Sequence, residues 1–351
     1  MRQRVPEPAP NPMVSVILPI RNEADFVERC LRSVLANDYP PDRMEVLVVD
    51  GMSDDGTRDI VARLAAEEPR LRLLDNPRRI TPDAMNRGIV ESKGQVILRV
   101  DGHALVPPDF VRRSVQALAE HPEAWCAGGA IETVSPNFVG RAISAAQSSP
   151  VGVGNARFRL GHYKGYVDTV AFGAYWRWVF DRIGLFDPEL VRNQDDEFNL
   201  RLILAGGKIY MDGDIRSLYY SRGSVTLLAR QYFQYGFWRT RTIQKHRRPA
   251  SLRQIVPLGF VLTWIGLAAA ALIWHPAVWA LVGFAAVYAL GLLVGAVQVA
   301  RRAGVAEAVA APLIFMVLHF AYGIGTLKGV LWFLVLRRGG RLRLEDHPLS
   351  R

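Results

Sequence analysis

Apolar residues arrive in this chain in two rhythms. Up to about residue 220 they form short runs separated by polar loops and by stretches with helical spacing; from about 255 to 336 they become nearly continuous. In the first part, Val14-Ser-Val-Ile-Leu18, Glu45-Val-Leu-Val-Val49, residues 71–74 and residues 96–100 have the β-branched and aliphatic content of buried strands. Residues 24–35 carry apolar side chains at Phe26, Val27, Cys30, Leu31, Val34 and Leu35, the spacing of an amphipathic helix. Further helices are expected over 58–67 and around 83–90. This alternation of strand and helix predicts an α/β fold with a mainly parallel sheet and right-handed crossovers.

In the second part, residues 255–274 and 278–300 are uncharged. Each is long enough to cross a hydrocarbon core of about 30 Å. His275-Pro276 leaves room between them only for a tight hairpin. A third stretch, 308–336, is interrupted by Pro312, His319, Gly323, Gly325, Lys328 and Gly329. Cations flank these stretches at 245–253, at Arg301-Arg302, and at Arg337-Arg338 with Arg341 and Arg343. With the first half of the chain inside, three full spans would put the last cluster outside, against the positive-inside rule. The third stretch therefore either breaks that rule or is re-entrant or interfacial, and the number of spans is two or three.

Composition sharpens the membrane expectation. Of 351 residues half are hydrophobic, and 43 Lys and Arg face 33 Asp and Glu for a net charge of +10, too apolar and too basic for an ordinary soluble domain. The cations cluster against apolar segments instead of forming a separate arm, which fits an anionic membrane surface and not nucleic acid. No acid occurs between Asp214 and Glu307, while Arg216, Arg222, Arg230, Arg239, Arg241, Lys245, Arg247, Arg248 and Arg253 accumulate there. Several flank Tyr232, Phe233, Tyr235, Phe237 and Trp238, as in an interfacial segment over 226–253. Two cysteines, Cys30 and Cys126, exclude a disulfide framework or a zinc module. Residues 1–12 lack an apolar core and read as a disordered leader, not a signal peptide.

Three strand ends carry polar groups: Arg21-Asn22-Glu23, Asp50, and Asp101-Gly102-His103. The carboxyl ends of parallel strands are where open α/β sheets bind ligands. Asp101 and His103 can face one ion if the backbone turns at Gly102. Neither a G-x-G-x-x-G nor a G-x-x-x-x-G-K-[ST] loop occurs, so a bound nucleotide's diphosphate would need a metal in place of a glycine-rich cradle. Downstream, Asp195-Asp196-Glu197 precedes an apolar helical run. A carboxylate crowded by others gains proton affinity, which suits a general base.

Four segments in order, V-S-V-I-L-P-I-R-N-E, V-V-D-G-M-S-D-D-G-T, V-I-L-R-V-D-G-H-A and N-Q-D-D-E-F-N-L-R, resemble the family 2 glycosyltransferases of the GT-A fold, most of all the bacterial succinoglycan-type exopolysaccharide branch. The likeness covers residues 13–245. It implies that Pro19, Arg21, Glu23, Asp50 and Asp101 bind a nucleotide sugar, and that Asp101 and His103 hold a divalent metal, manganese or magnesium, with His103 where the family has an acid. It further implies that Asp195 is the catalytic base. Gln231, Trp238 and Arg239 are similar to the Q-x-x-R-W region of processive synthases, on the acceptor side or at the interface, but with altered spacing.

The chain is thus expected to comprise a GT-A catalytic domain over 13–225, an interfacial segment over 226–253, transmembrane helices over 254–338 and a polar tail over 339–351. The activity implied is inverting transfer from a nucleoside-diphosphate donor to a lipid-linked acceptor in polysaccharide biosynthesis. The site would be cytoplasmic, at the inner (plasma) membrane. The alternatives are a polyprenyl-phosphate sugar synthase and a non-catalytic membrane scaffold.

Overall fold

The computed structural model describes residues 10–220, 223–249, 251 and 254–338. Nearly all of the expected leader, the whole of the tail at 339–351, and Arg222, Arg253, Arg341 and Arg343 lie outside the described residues.

The elements run β1 (Val14–Ile20), α1 (Val27–Leu35), β2 (Met44–Asp50), α2 (Thr57–Glu67), β3 (Leu71–Asp75), α3 (Thr81–Glu91), β4 (Val96–Arg99), β5 (Ala104–Leu105), α4 (Phe110–Glu120) and β6 (Ala124–Val134). Three helices follow, α5 (Phe138–Gln147), α6 (Pro150–Val153) and α7 (Arg157–Leu160). Then come β7 (Lys164–Val167), β8 (Ala171–Trp176), α8 (Arg177–Ile183), α9 (Gln194–Leu204) and β9 (Lys208–Tyr220). Four long helices close the chain: α10 (Val225–His246), α11 (Val256–Ile273), α12 (Ala277–Ala303) and α13 (Val305–Gly329), the last continued by a π-helical turn, Val330–Val335.

The chain divides into two compact units. Among the described residues the first comprises 10–132 and 161–220, and the second 133–160, 223–249, 251 and 254–338. The continuous segment expected over 13–225 therefore contains a stretch, 133–160, that packs with the terminal helices.

In the first unit the strands form one mixed sheet in the order β3-β2-β1-β4-β8-β6-β9-β5, with β7 on β9. The expected parallel arrangement holds for the half built from β1 to β4, where β1 pairs with β2 and β4, and β2 with β3, all in parallel. The other half is antiparallel. Every residue of β2 is buried, as a strand covered on both faces requires. α1 turns Val27, Cys30, Leu31 and Val34 inward at helical spacing. α3 comes so close to β1 that a β-carbon at Gly88 would collide with Ile17. Because the chain goes from β1 to β2 and β3 on one side and then to β4 on the other, β1 and β4 flank a topological switch point, where such sheets open a crevice at their carboxyl edge.

In the second unit α5 opens on Asn137, whose side-chain oxygen accepts from the Gly140 amide. Its inner residues Ala142, Ile143 and Ala146 join a core with Leu228, Leu292, Ile314, Phe315 and Leu318. α11, α12 and α13 with its π-turn are each long and apolar enough to cross a bilayer.

Candidate active site

The loops after β1 and β2 are laced together. Asn22, held at a left-handed φ of 53°, receives the Asp54 amide at its side-chain oxygen (3.1 Å) and donates to Asp54 Oδ1 (2.9 Å). Its own amide donates to Ser53 Oγ, and the Glu23 amide to Thr57 Oγ1, each at 2.8 Å. Asparagine tolerates that backbone conformation better than most residues. The run S-D-D-G-T thus supplies partners that fix the polar end of β1.

Asp50 is fully buried. Its Oδ2 accepts from Arg58 (2.7 Å) and from the Ser53 amide (3.0 Å), and its Oδ1 from Ser53 Oγ (2.5 Å). Arg58 also reaches Asp75, one strand over in register with Asp50, at 2.7 Å. The carboxylate expected to touch a nucleoside is turned toward the protein and orders the loop around it. Pro19 lies within β1, and the Arg21 side chain packs on Gly51 with a buried Nε that makes no hydrogen bond.

His103 is 7 % exposed; its Nδ1 lies 3.0 Å from Glu23 Oε1 and its ring meets the Tyr219 ring edge-on at 4.5 Å. Glu23 and His103, expected to serve different ligands, are partners of each other. Gly102 is needed for a reason other than the one expected. Its φ is not left-handed, but a β-carbon there would collide with Ile20 and crowd Glu23.

Asp101 is gripped by Arg99, whose Nε and Nη2 both lie 2.9 Å from Asp101 Oδ1. On its other side Arg99 Nη1 comes within 3.6 Å of Asp195 Oδ2. Burial works against the charge on Arg99, but the two carboxylates outweigh it and hold the guanidinium firmly protonated. Arg99 was not among the expected site residues, although an arginine in the otherwise apolar run V-I-L-R-V was a visible signal, because buried charges are almost always paired.

Asp195 stands in the first turn of α9, after Asn193 at a left-handed φ of 59°. Desolvation by the surrounding protein and then repulsion from Asp196 raise its carboxyl above the usual range, against the pull of Arg99. Since 48 % of the side chain meets solvent, water moderates the shift. Glu197, third of the acids, is buried and paired along its own helix: Arg201 Nε and Nη2 hold it at 2.6 and 2.9 Å.

Among the described residues no group of three or more His, Cys, Asp or Glu side chains gathers to hold a metal ion. Asp101 and His103 are a carboxylate and an imidazole two positions apart, the first paired with Arg99 and the second oriented by Glu23.

Gln231, Trp238 and Arg239 lie on α10 in the second unit. Gln231 donates to Tyr235 Oη (2.8 Å), while Trp238 and Arg239 are 1 % and 7 % exposed. The last two are covered by protein and do not stand on an open aromatic face.

Comparisons with known proteins bear on the family and the fold. Residues 15–183 match the family described as glycosyl transferase family 2. The succinoglycan biosynthesis protein ExoA of Rhizobium meliloti (strain 1021) is 32 % identical over 91 % of this chain and 95 % of its own length. A dolichyl N-acetyl-α-D-glucosaminyl phosphate 3-β-D-2,3-diacetamido-2,3-dideoxy-β-D-glucuronosyltransferase of Methanococcus voltae is 26 % identical over 91 % of this chain and 97 % of its own. The mannosyltransferase PcManGT of Pyrobaculum calidifontis, solved with GDP-mannose and Mn2+, superposes with a TM-score of 0.58 over 93 % of this chain and 89 % of its own, at 22 % identity, which establishes the GT-A fold. By its sequence relatives, the chain belongs to glycosyl transferase family 2.

Proposed function

We propose that this glycosyltransferase is an inverting enzyme that moves a sugar from a nucleoside-diphosphate donor to a lipid-linked acceptor at a membrane face, with Asp195 as the base. The observation that carries this reading is the line Asp101, Arg99, Asp195. One arginine touches a strand-end acid suited to the donor and faces a second acid whose proton affinity is raised. Asp195 takes the proton of the acceptor hydroxyl as that oxygen attacks the anomeric carbon, and the diphosphate leaves from the opposite side. A single displacement of this kind inverts the configuration.

Pro19, Arg21, Glu23 and Asp50 belong to the nucleotide side in this reading, Asp50 by ordering its loop and Arg21 by a buried guanidinium edge beside it. Asp101 and His103 fit a divalent cation in donor chemistry, since an imidazole whose other nitrogen is fixed by a carboxylate is the usual orientation of a metal-bound histidine. With only two such groups, further coordination would come from the diphosphate and water. When bound, the ion neutralises charge on the departing diphosphate. Imidazole favours manganese over magnesium. Gln231, Trp238 and Arg239 are assigned to the acceptor side.

The names of the relatives support the donor and acceptor classes. One is a transferase onto a dolichyl-phosphate-linked sugar, and the similar solved structure holds GDP-mannose and Mn2+. The membrane is taken to be the inner (plasma) membrane with the first unit cytoplasmic. The test is Asp195→Asn. Transfer should be lost while binding of the nucleotide sugar, measured by calorimetry, stays near wild type; substantial residual transfer would sink the assignment.

A further inference from the structure

α11, α12 and the 31 residues of α13 with its π-turn look alike in length and apolar content, but their neighbours differ. Only 6 % and 11 % of the apolar windows of α11 and α12 are covered by protein, against 39 % for the third. The first two make an antiparallel hairpin, with Phe260 against Tyr288 (ring centroids 4.8 Å apart) and Trp264 against Phe284 (5.2 Å). His275 and Pro276 form its far turn.

α13 starts beside the end of α12 and climbs along it, with Phe315 against Gly295 and His319 Nδ1 3.0 Å from Tyr288 Oη. A third span would go on beside the later turns of α11, whereas its ring and glycine contacts with α11 gather at that helix's first half. Phe320 lies between Trp264 (6.3 Å) and Phe260 (5.1 Å), and Gly323 abuts Val261 and the Pro257 carbonyl at the first turn of α11. At Gly323, well along its length, α13 is thus only level with the start of α11, at the face where the hairpin enters.

Beyond Gly323 its companion is α10. Gly325 backs onto the Phe233 carbonyl and Gly329 onto Phe237 and Thr240. Thr240 Oγ1 donates to the Thr326 carbonyl (3.3 Å), the Phe237 and Phe333 rings lie 4.9 Å apart, and Gln244 donates to the Phe333 carbonyl (2.6 Å). Both sets of numbers rise together, so the two helices are parallel and share one depth. α10 carries Arg230, Arg239, Arg241, Lys245 and His246 within 22 residues, a load that no hydrocarbon span carries cheaply. Lys328 places its ammonium 5.6 Å from the Phe233 ring. The side of α13 away from these contacts is an exposed apolar stripe: Val309, Leu313, Met316, Ile324, Leu331 and Val335.

We infer that α13 is not a third membrane span: with α10 it forms a parallel helical pair on the lipid surface, apolar stripe toward the acyl chains, so the chain crosses the bilayer twice. Arg337 and Arg338 then end on the α10 side, where the positive-inside rule expects them. This arrangement requires that α11 and α12 themselves be spans.

Single cysteines at Arg248, just past α10, at His275 and at Arg338 separate the possibilities, since the native Cys30 and Cys126 are buried. Full-length protein in sealed vesicles of either orientation is treated with a membrane-impermeant maleimide. Arg248→Cys and Arg338→Cys should react from the same side and His275→Cys from the other. Reaction of Arg338→Cys on the His275 side overturns the inference. Reaction of all three on one side overturns the spanning hairpin and the inference with it. Should a cysteine variant misfold, a protease-cleavable epitope after Arg351, which alters no packed residue, reports the side of the C-terminus instead: cleavage from the His275 side overturns the inference, and cleavage from the opposite side supports it.

Discussion

Arg99 Nη1 faces Asp195 at 3.6 Å while the rest of the same guanidinium grips Asp101. One cation therefore stands between the proposed donor-side acid and the proposed base.

The pH profile should report that coupling. Asp195 works deprotonated, so transfer rises with pH through its raised pKa. Removing the Arg99 charge (Arg99→Leu) should move the acid limb of kcat/KM to higher pH, and removing the repulsion (Asp196→Asn) should move it lower. Limbs that stay together in all three proteins would show that another group titrates.

The same shift bears on stability. A carboxyl with a folded pKa above its unfolded one stabilises fully below the unfolded value and loses that contribution as pH rises through the folded value. Asp195→Asn should accordingly melt higher than wild type at neutral pH, with the difference vanishing in acid. A lower melting temperature at both would contradict the raised pKa.

In the proposed metal site Glu23 would act through His103, whose Nδ1 it holds. Glu23→Gln should raise the manganese concentration giving half-maximal transfer by about 10–100-fold, the usual cost of losing such a partner, with far-UV dichroism unchanged. An unchanged manganese titration would leave Asp101 to hold the ion without His103.

Glu197 is predicted to matter for folding alone. Breaking its buried pair with Arg201 by Glu197→Ala should destabilise by about 3 kcal/mol, read by thermal unfolding. Transfer per folded molecule should be retained, and a stable but inactive variant would return Glu197 to the site.

What the sequence made legible was whatever rests on local spacing. The strands ending at Asp50 and Asp101, the helix face of Val27, Cys30, Leu31 and Val34, and the position of Asp195 at a helix start all follow from short-range pattern. The pairings did not. That Asp50 would be consumed by Ser53 and Arg58, that Glu23 would hold His103, and that Arg99 would join two acids 94 positions apart depend on how loops fold over the sheet edge. The glycines at 323, 325 and 329 were equally ambiguous. They resemble interruptions of a span, whereas each admits a neighbouring helix backbone or side chain.

The assignment of residues 133–160 to the second unit has a consequence for how the chain must be made. α5 leaves the ribosome about 150 residues before α12 and α13, whose Leu292, Ile314 and Phe315 cover its Ala142 and Ile143. At ordinary rates of synthesis that interval is on the order of ten seconds. For that time α5 is a nascent apolar surface awaiting its cover, and a chain released at Tyr220 would keep it permanently bare. A soluble fragment obtained by cutting away the terminal helices would thus inherit a sticky patch unless 133–160 were removed or masked as well.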